Sequence, residues 1–100
     1  MSATGTWELH IKQPVGDSHA TVELKEHDGT LTGTATIDDN DPAPLYEGTV
    51  DGNDLSWRVD ISKPFKLKIL MTMVRDGDTM TGRGKAGRWP ASKVTGKRIS

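Results

Sequence analysis

Few side chains in this 100-residue chain could do chemistry, and their spacing limits what that chemistry could be. There is no cysteine, which removes thiol nucleophiles, disulfides and thiolate metal ligands together. His10, His19 and His27 lie in the first 27 residues, at an outward strand position or beside turns, where solvated imidazole is the expected state. None makes the His-x-x-x-His helical pair of a zinc site, so no metal is expected. Asp38-Asp39-Asn40-Asp41 offers oxygen ligands without the glycine and distal glutamate of a calcium loop. These four read instead as turn formers. Gly82 to Arg88 approaches phosphate-loop spacing, but Arg88-Trp89 stands where Lys-Ser/Thr is needed and no helix can follow.

What remains is one phenol, indoles and carboxylates. Tyr46 is the single tyrosine, and alternation places it facing inward, where its hydroxyl could donate to a carbonyl. Trp57 could add an indole N–H. Glu47 becomes a candidate acid or base only if its strand reverses parity, which would turn Tyr46 outward. A carboxylate buried in that way would have a raised pKa and would favour catalysis.

The elements that must hold these groups are strands. Apolar and polar residues alternate with a period of two, and no segment sustains a helical period. Trp7, Leu9 and Ile11 begin the pattern; Ala20, Val22 and Leu24 follow a turn cluster. Asp28-Gly29 predicts a type I′ hairpin, because both positions need positive φ. Leu31, Gly33, Ala35 and Ile37 lead to the longest break, Asp38 to Pro44. The series resumes as Tyr46, Gly48 and Val50, then Leu55 to Ile61, then Phe65 to Met73, turned by Arg75-Asp76-Gly77-Asp78. Met80 to Ala86 and a last strand from about Ser92 to Ile99 complete eight. Eight short strands joined by hairpin-length connections predict an all-β, antiparallel up-and-down barrel spanning 1–100 as one domain, with no significant helix. A sandwich is the alternative.

Composition sets the outer limits. Hydrophobic residues are 33% of the chain and no window nears 18 apolar residues, so no membrane span is expected. No basic, apolar leader opens the chain, so a cytoplasmic location is expected. The formal charge of −1 conceals a division. Residues 1–50 hold two lysines against nine acids, and residues 51–100 hold eleven Lys or Arg against five. Such a split can mark a nucleic-acid surface. The basic stretch carries one aromatic, Trp89, and lacks interleaved stacking residues, so nucleic acid is not the expected partner. Complementary halves that steer self-association are the preferred reading. Leu70, Thr72 and Val74 on an outward parity add an apolar strip, and a homodimer or larger assembly is expected.

Gly5-Thr6-Trp7 at the start and Arg98 near the end resemble the calycin signature of lipocalins, fatty-acid-binding proteins and avidins. In that superfamily the tryptophan closes one barrel end and a late arginine stacks across it, which assigns barrel closure to Trp7 and Arg98. Gly5-Thr6-Trp7, Asp28-Gly29-Thr30-Leu31-Thr32-Gly33-Thr34 and Leu55-Ser56-Trp57 are most similar to avidin segments, in the same order. The biotin donors are missing. Glu8 to Ile11 replace the small polar residues after the first tryptophan, Ala35 replaces a tyrosine, and Ile61 replaces a tryptophan. Biotin binding is not implied.

The inward list is apolar, with Gly33, Ala35, Gly48, Gly82, Gly84 and Ala86 interspersed. Those small residues either allow strands to coil around a filled core or open half of the barrel as a dry pocket. The resemblance favours the pocket. Its expected lining is Tyr46, Trp57, Ala35 and Gly48, with Phe65, Met71, Met73 and Met80 as adaptable apolar walls and Trp89 at the mouth. The sequence therefore predicts a barrel that holds a hydrophobic small molecule. The alternative is a small cofactor-free isomerase, cyclase or lyase that folds an apolar substrate in the cavity, with Tyr46, Glu47 or a rim Asp, Glu or His polarising one group, or with shape alone holding the reactive ends together.

Overall fold

The computed structural model describes residues 3–13, 16–38, 40–62, 66–87 and 90–100. Alternation resolves into nine β-segments: β1 (Gly5–Ile11), β2 (Ser18–His27), β3 (Thr30–Ile37), β4 (Ala43–Pro44), β5 (Tyr46–Asp51), β6 (Asp54–Ile61), β7 (Leu67–Asp76), β8 (Thr79–Ala86) and β9 (Ser92–Arg98). The two-residue β4 and β5 share one position beside β3, so the wall has eight strands. Every pairing is antiparallel; β3 pairs with both β4 and β5, the other strands pair with their neighbours in sequence, and β9 returns to β1 to close the cylinder. This is the up-and-down barrel that the alternation predicts; among the described residues there is no helix, and so none that could cross a membrane. Closure pairs the first strand with the last, so neither is left as a free edge.

The hairpins follow their turn chemistry. Asp28 and Gly29 both take positive φ, 50° and 78°, as type I′ geometry demands. One turn differs from expectation. Arg75 and Asp76 are the last residues of β7 and do not belong to its turn. Arg75 continues the inward phase of Met71 and Met73, is 8% exposed, and its Nη1 donates to the Gly77 carbonyl at 3.1 Å. The guanidinium reaches a turn carbonyl, so an inward position at a strand end can hold a charge.

Side chains from every wall meet in one core that includes Trp7, Leu9, Leu24, Leu31, Trp57 and Met73, each no more than 2% exposed. The two ends of the barrel differ. One, the turn end, gathers the tight hairpins β2–β3, β5–β6 and β7–β8 with the described residues nearest both termini. The other, the loop end, gathers the longer connections after β1, β3, β6 and β8.

Candidate functional site

At the turn end, Trp7 is fully buried and its Nε1 donates to the Ala3 carbonyl at 2.8 Å. The Arg98 guanidinium lies over the indole, 4.7 Å from the ring centroid, and its Nε donates to Asp78 Oδ1 at 2.9 Å. Arg98 also donates to the Thr4 carbonyl. Ala3 N donates to Glu26 Oε1, and Thr6 N to the Ser100 carbonyl, so both chain ends are tied across this opening. The structure thus brings Trp7 and Arg98 together over a sealed end.

The middle of the barrel is filled. The inward glycines do not open a pocket there, which corrects the sequence expectation for Gly33, Gly48, Gly82 and Gly84. A Cβ on Gly33 would lie 1.7 Å from the Glu23 carbonyl oxygen, and one on Gly48 2.0 Å from that of Leu31. A Cβ on Gly82 would lie 2.0 Å from the Thr72 carbonyl oxygen, and at Gly84 the space is taken by sulfur, with Met71 Sδ 2.8 Å from the added carbon. Glycine marks close approach at these positions, because neighbouring strands coil tightly across them.

The loop end is different. Its inward positions carry small side chains, Ala20, Ala35, Ala43 and Ala86, beside the larger Ile61, Leu67 and Ile69. Ile61, Leu67, Ile69, Ala43 and Ala86 are only partly covered. Below this rim Trp57 is 1% exposed and pairs in register with Met71. Asn40 ties two of the loops, donating to the Ile37 carbonyl at 3.0 Å and accepting from Ser62 N at 3.1 Å. Asp38 Oδ1 accepts from His19 N at 3.1 Å. The side chains of Asp38 and Asn40 therefore serve the backbone, the role expected of turn formers. Phe65 and Trp89, expected at the pocket wall and mouth, lie outside the described residues.

Tyr46 and Glu47 are corrected most sharply. Neither faces the interior. Glu47 takes φ of 52°, and the register of β5 against β6 shifts between Tyr46 and Thr49. The extra residue of this bulge leaves two successive side chains outside, with Leu45 and Gly48 buried on either side. Tyr46 is 36% exposed and its hydroxyl donates to Asp60 Oδ1 at 2.6 Å, a bond to a carboxylate that raises the phenol's pKa. Glu47 Oε2 pairs with Arg58 Nε at 2.6 Å on the outer wall. Neither can polarise a substrate inside the barrel.

A pairing that the sequence does not reveal lies outside as well. His10 and His19 face each other across β1 and β2 with ring centroids 4.9 Å apart and planes at 14°. Asp17 Oδ2 sits 2.7 Å from His10 Nε2, and this hydrogen bond is the main cause holding the Asp17 carboxyl below its ordinary range. The rings edge a shallow outer groove of about 310 Å³, completed by Glu8, Thr95 and Lys97. Among the described residues no three His, Asp or Glu side chains converge as a metal site. A carboxyl whose folded pKa is depressed adds stability above its unfolded pKa and loses it as pH falls through the folded one. Asp17→Asn should therefore lower the denaturation midpoint at neutral pH, and the gap from wild type should close below about pH 3.9. Urea titrations across that range check it; a gap independent of pH would remove the ionic pairing.

No protein-family model and no curated protein matches the sequence. Solved structures share the fold, among them a designed barrel and a fatty-acid-binding protein. A de novo designed fluorescence-activating β-barrel is 20% identical with a TM-score of 0.64, covering 96% of this chain and 93% of its own. The fatty-acid-binding protein of Manduca sexta is 16% identical with a TM-score of 0.54, covering 96% and 99%.

Proposed function

We propose that the barrel binds a hydrophobic small molecule at its loop end. The carrying observation is the asymmetry of the ends: one is sealed by Trp7 and Arg98, the other ringed by alanines and partly covered isoleucines. An apolar guest would rest on Ala35, Ala43 and Ala86, with Ile61 and Ile69 at the rim and Trp57 and Met71 beneath. Removing those rim carbons from water favours binding by roughly 25 cal/mol per Å². Met71 can swing aside for a larger guest, since its unbranched chain adapts at low cost. The Trp7–Arg98 stack is the arrangement that the calycin resemblance implies. The names of the two similar structures, a fatty-acid-binding protein and a fluorescence-activating barrel, agree with a cargo of this class. Tyr46 and Glu47 lie outside, so neither of them supports the enzymatic alternative.

Quenching of Trp57 by a brominated long-chain alcohol tests the proposal, in a Trp89→Phe background that lowers the competing emission. Saturable quenching is expected, and Ala86→Phe should weaken it at least about tenfold, near 1.4 kcal/mol, by filling the rim. Quenching that does not saturate, or that Ala86→Phe leaves unchanged, would overturn the proposal.

A further inference from the structure

The charge division of the sequence becomes two walls of the barrel. Lys68, Arg83, Lys85, Lys93 and Lys97 are exposed on the outer faces of β7, β8 and β9. Arg83 lies beside Lys93, Lys85 beside Leu70, and the Lys12 backbone adjoins Lys93 through a 2.9 Å hydrogen bond. Among the described residues none of these cations forms an ion pair. The wall formed by β2, β3 and β5, with the start of β6, carries Glu23, Asp51 and Asp54 exposed alongside one lysine, Lys25, and Asp51 and Asp54 oppose each other in register. Like charges held face to face cost free energy until a partner of opposite sign neutralises them.

Among the described residues the exposed large apolar side chains divide between the same walls. Val74, 51% exposed, lies on the basic wall, with Ile99, 49% exposed, just past the end of β9. Tyr46 belongs to β5 on the acidic wall. A two-fold contact through either wall would set like charges against each other, because an isologous interface repeats the same patch. Only a head-to-tail contact matches sign with sign and apolar with apolar. Among the described residues the basic wall carries threonines between its cations and no aromatic platform, so these strands are poorly made for stacked bases.

We infer that the basic wall of one copy docks on the acidic wall of a second copy, giving a heterologous, salt-sensitive assembly. Sedimentation velocity tests this at about 0.01 M salt, where charges act over some 30 Å, and at about 1 M, where they act over about 3 Å. The mass should rise with concentration in low salt and return to the 10.9 kDa monomer in high salt. Arg83→Glu with Lys85→Glu, and separately Glu23→Lys with Asp51→Lys, should each be monomeric in low salt. An equimolar mixture of the two variants should associate again, because each still carries the wall that the other needs. Monomeric wild type in low salt, association that survives high salt, or a mixture that stays monomeric would each overturn the inference. So would salt-sensitive capture of duplex DNA without self-association, which would assign the basic wall to a polyanion.

Discussion

Gly33→Ala is expected to cost more than about 4 kcal/mol, which places it in the exceptional tail of single substitutions. The added Cβ would lie 1.7 Å from the Glu23 carbonyl oxygen and 2.8 Å from its carbonyl carbon. Both atoms are backbone, fixed in the ladder that pairs Leu24 with Gly33, so no side chain can swing away. The φ of 145° adds a second penalty, since residues with a Cβ rarely take that conformation. Relief requires parting β2 from β3, which opens the wall. A domain of this size has about 5–15 kcal/mol of stability in all, so most of it would go. Gly52→Ala is the control: φ is 62° but nothing lies within 4 Å of the new carbon. It should lose only about 1–2 kcal/mol, the penalty of left-handed backbone alone. Denaturant midpoints followed by circular dichroism separate the two, and equal losses would show that backbone conformation, not the clash, dominates.

At the same glycine the sequence is ambiguous. An inward small residue reads equally well as empty space or as close approach, and only the position of the facing strand decides. Strand existence and turn type were legible because the two faces of each strand meet different solvents, so the alternation in Trp7 to Ile11 or Leu55 to Ile61 has one physical cause. The bulge at Glu47 was not legible, because a glutamate at positive φ carries no compositional signal. A trace was present in the apolar residues themselves: Leu45 is out of phase with Gly48 and Val50, which requires one extra residue between them. Strict alternation passes over that phase, and so places Tyr46 and its hydroxyl inside the barrel. Arg75 failed differently, its charge overriding a parity that Met71 and Met73 had already set. The His10–His19 stack depends on the register of β1 against β2, which the spacing of either strand alone does not fix.

Trp7→Ala is expected to cost about 3–5 kcal/mol and to loosen both chain ends together. The indole is fully buried, so its loss leaves a void that the surrounding strands can close only in part. Its Nε1 also anchors the Ala3 carbonyl, and Ala3 is itself fully buried with its N–H held by Glu26. Arg98 loses the ring beneath its guanidinium, a contact worth about 0.5–2 kcal/mol depending on desolvation, but keeps Asp78. Trp7→Phe should be milder, retaining a ring for Arg98 while leaving the Ala3 carbonyl without its donor. A double-mutant cycle with Arg98→Ala isolates the stack, and the combined loss should fall short of the sum by more than about 0.5 kcal/mol. If the losses add within that margin, the stack contributes nothing measurable. Closure would then rest on the backbone bonds joining Thr6 to Ser100 and Ile99, and on the Arg98–Asp78 pair that holds β9 against the β7–β8 turn.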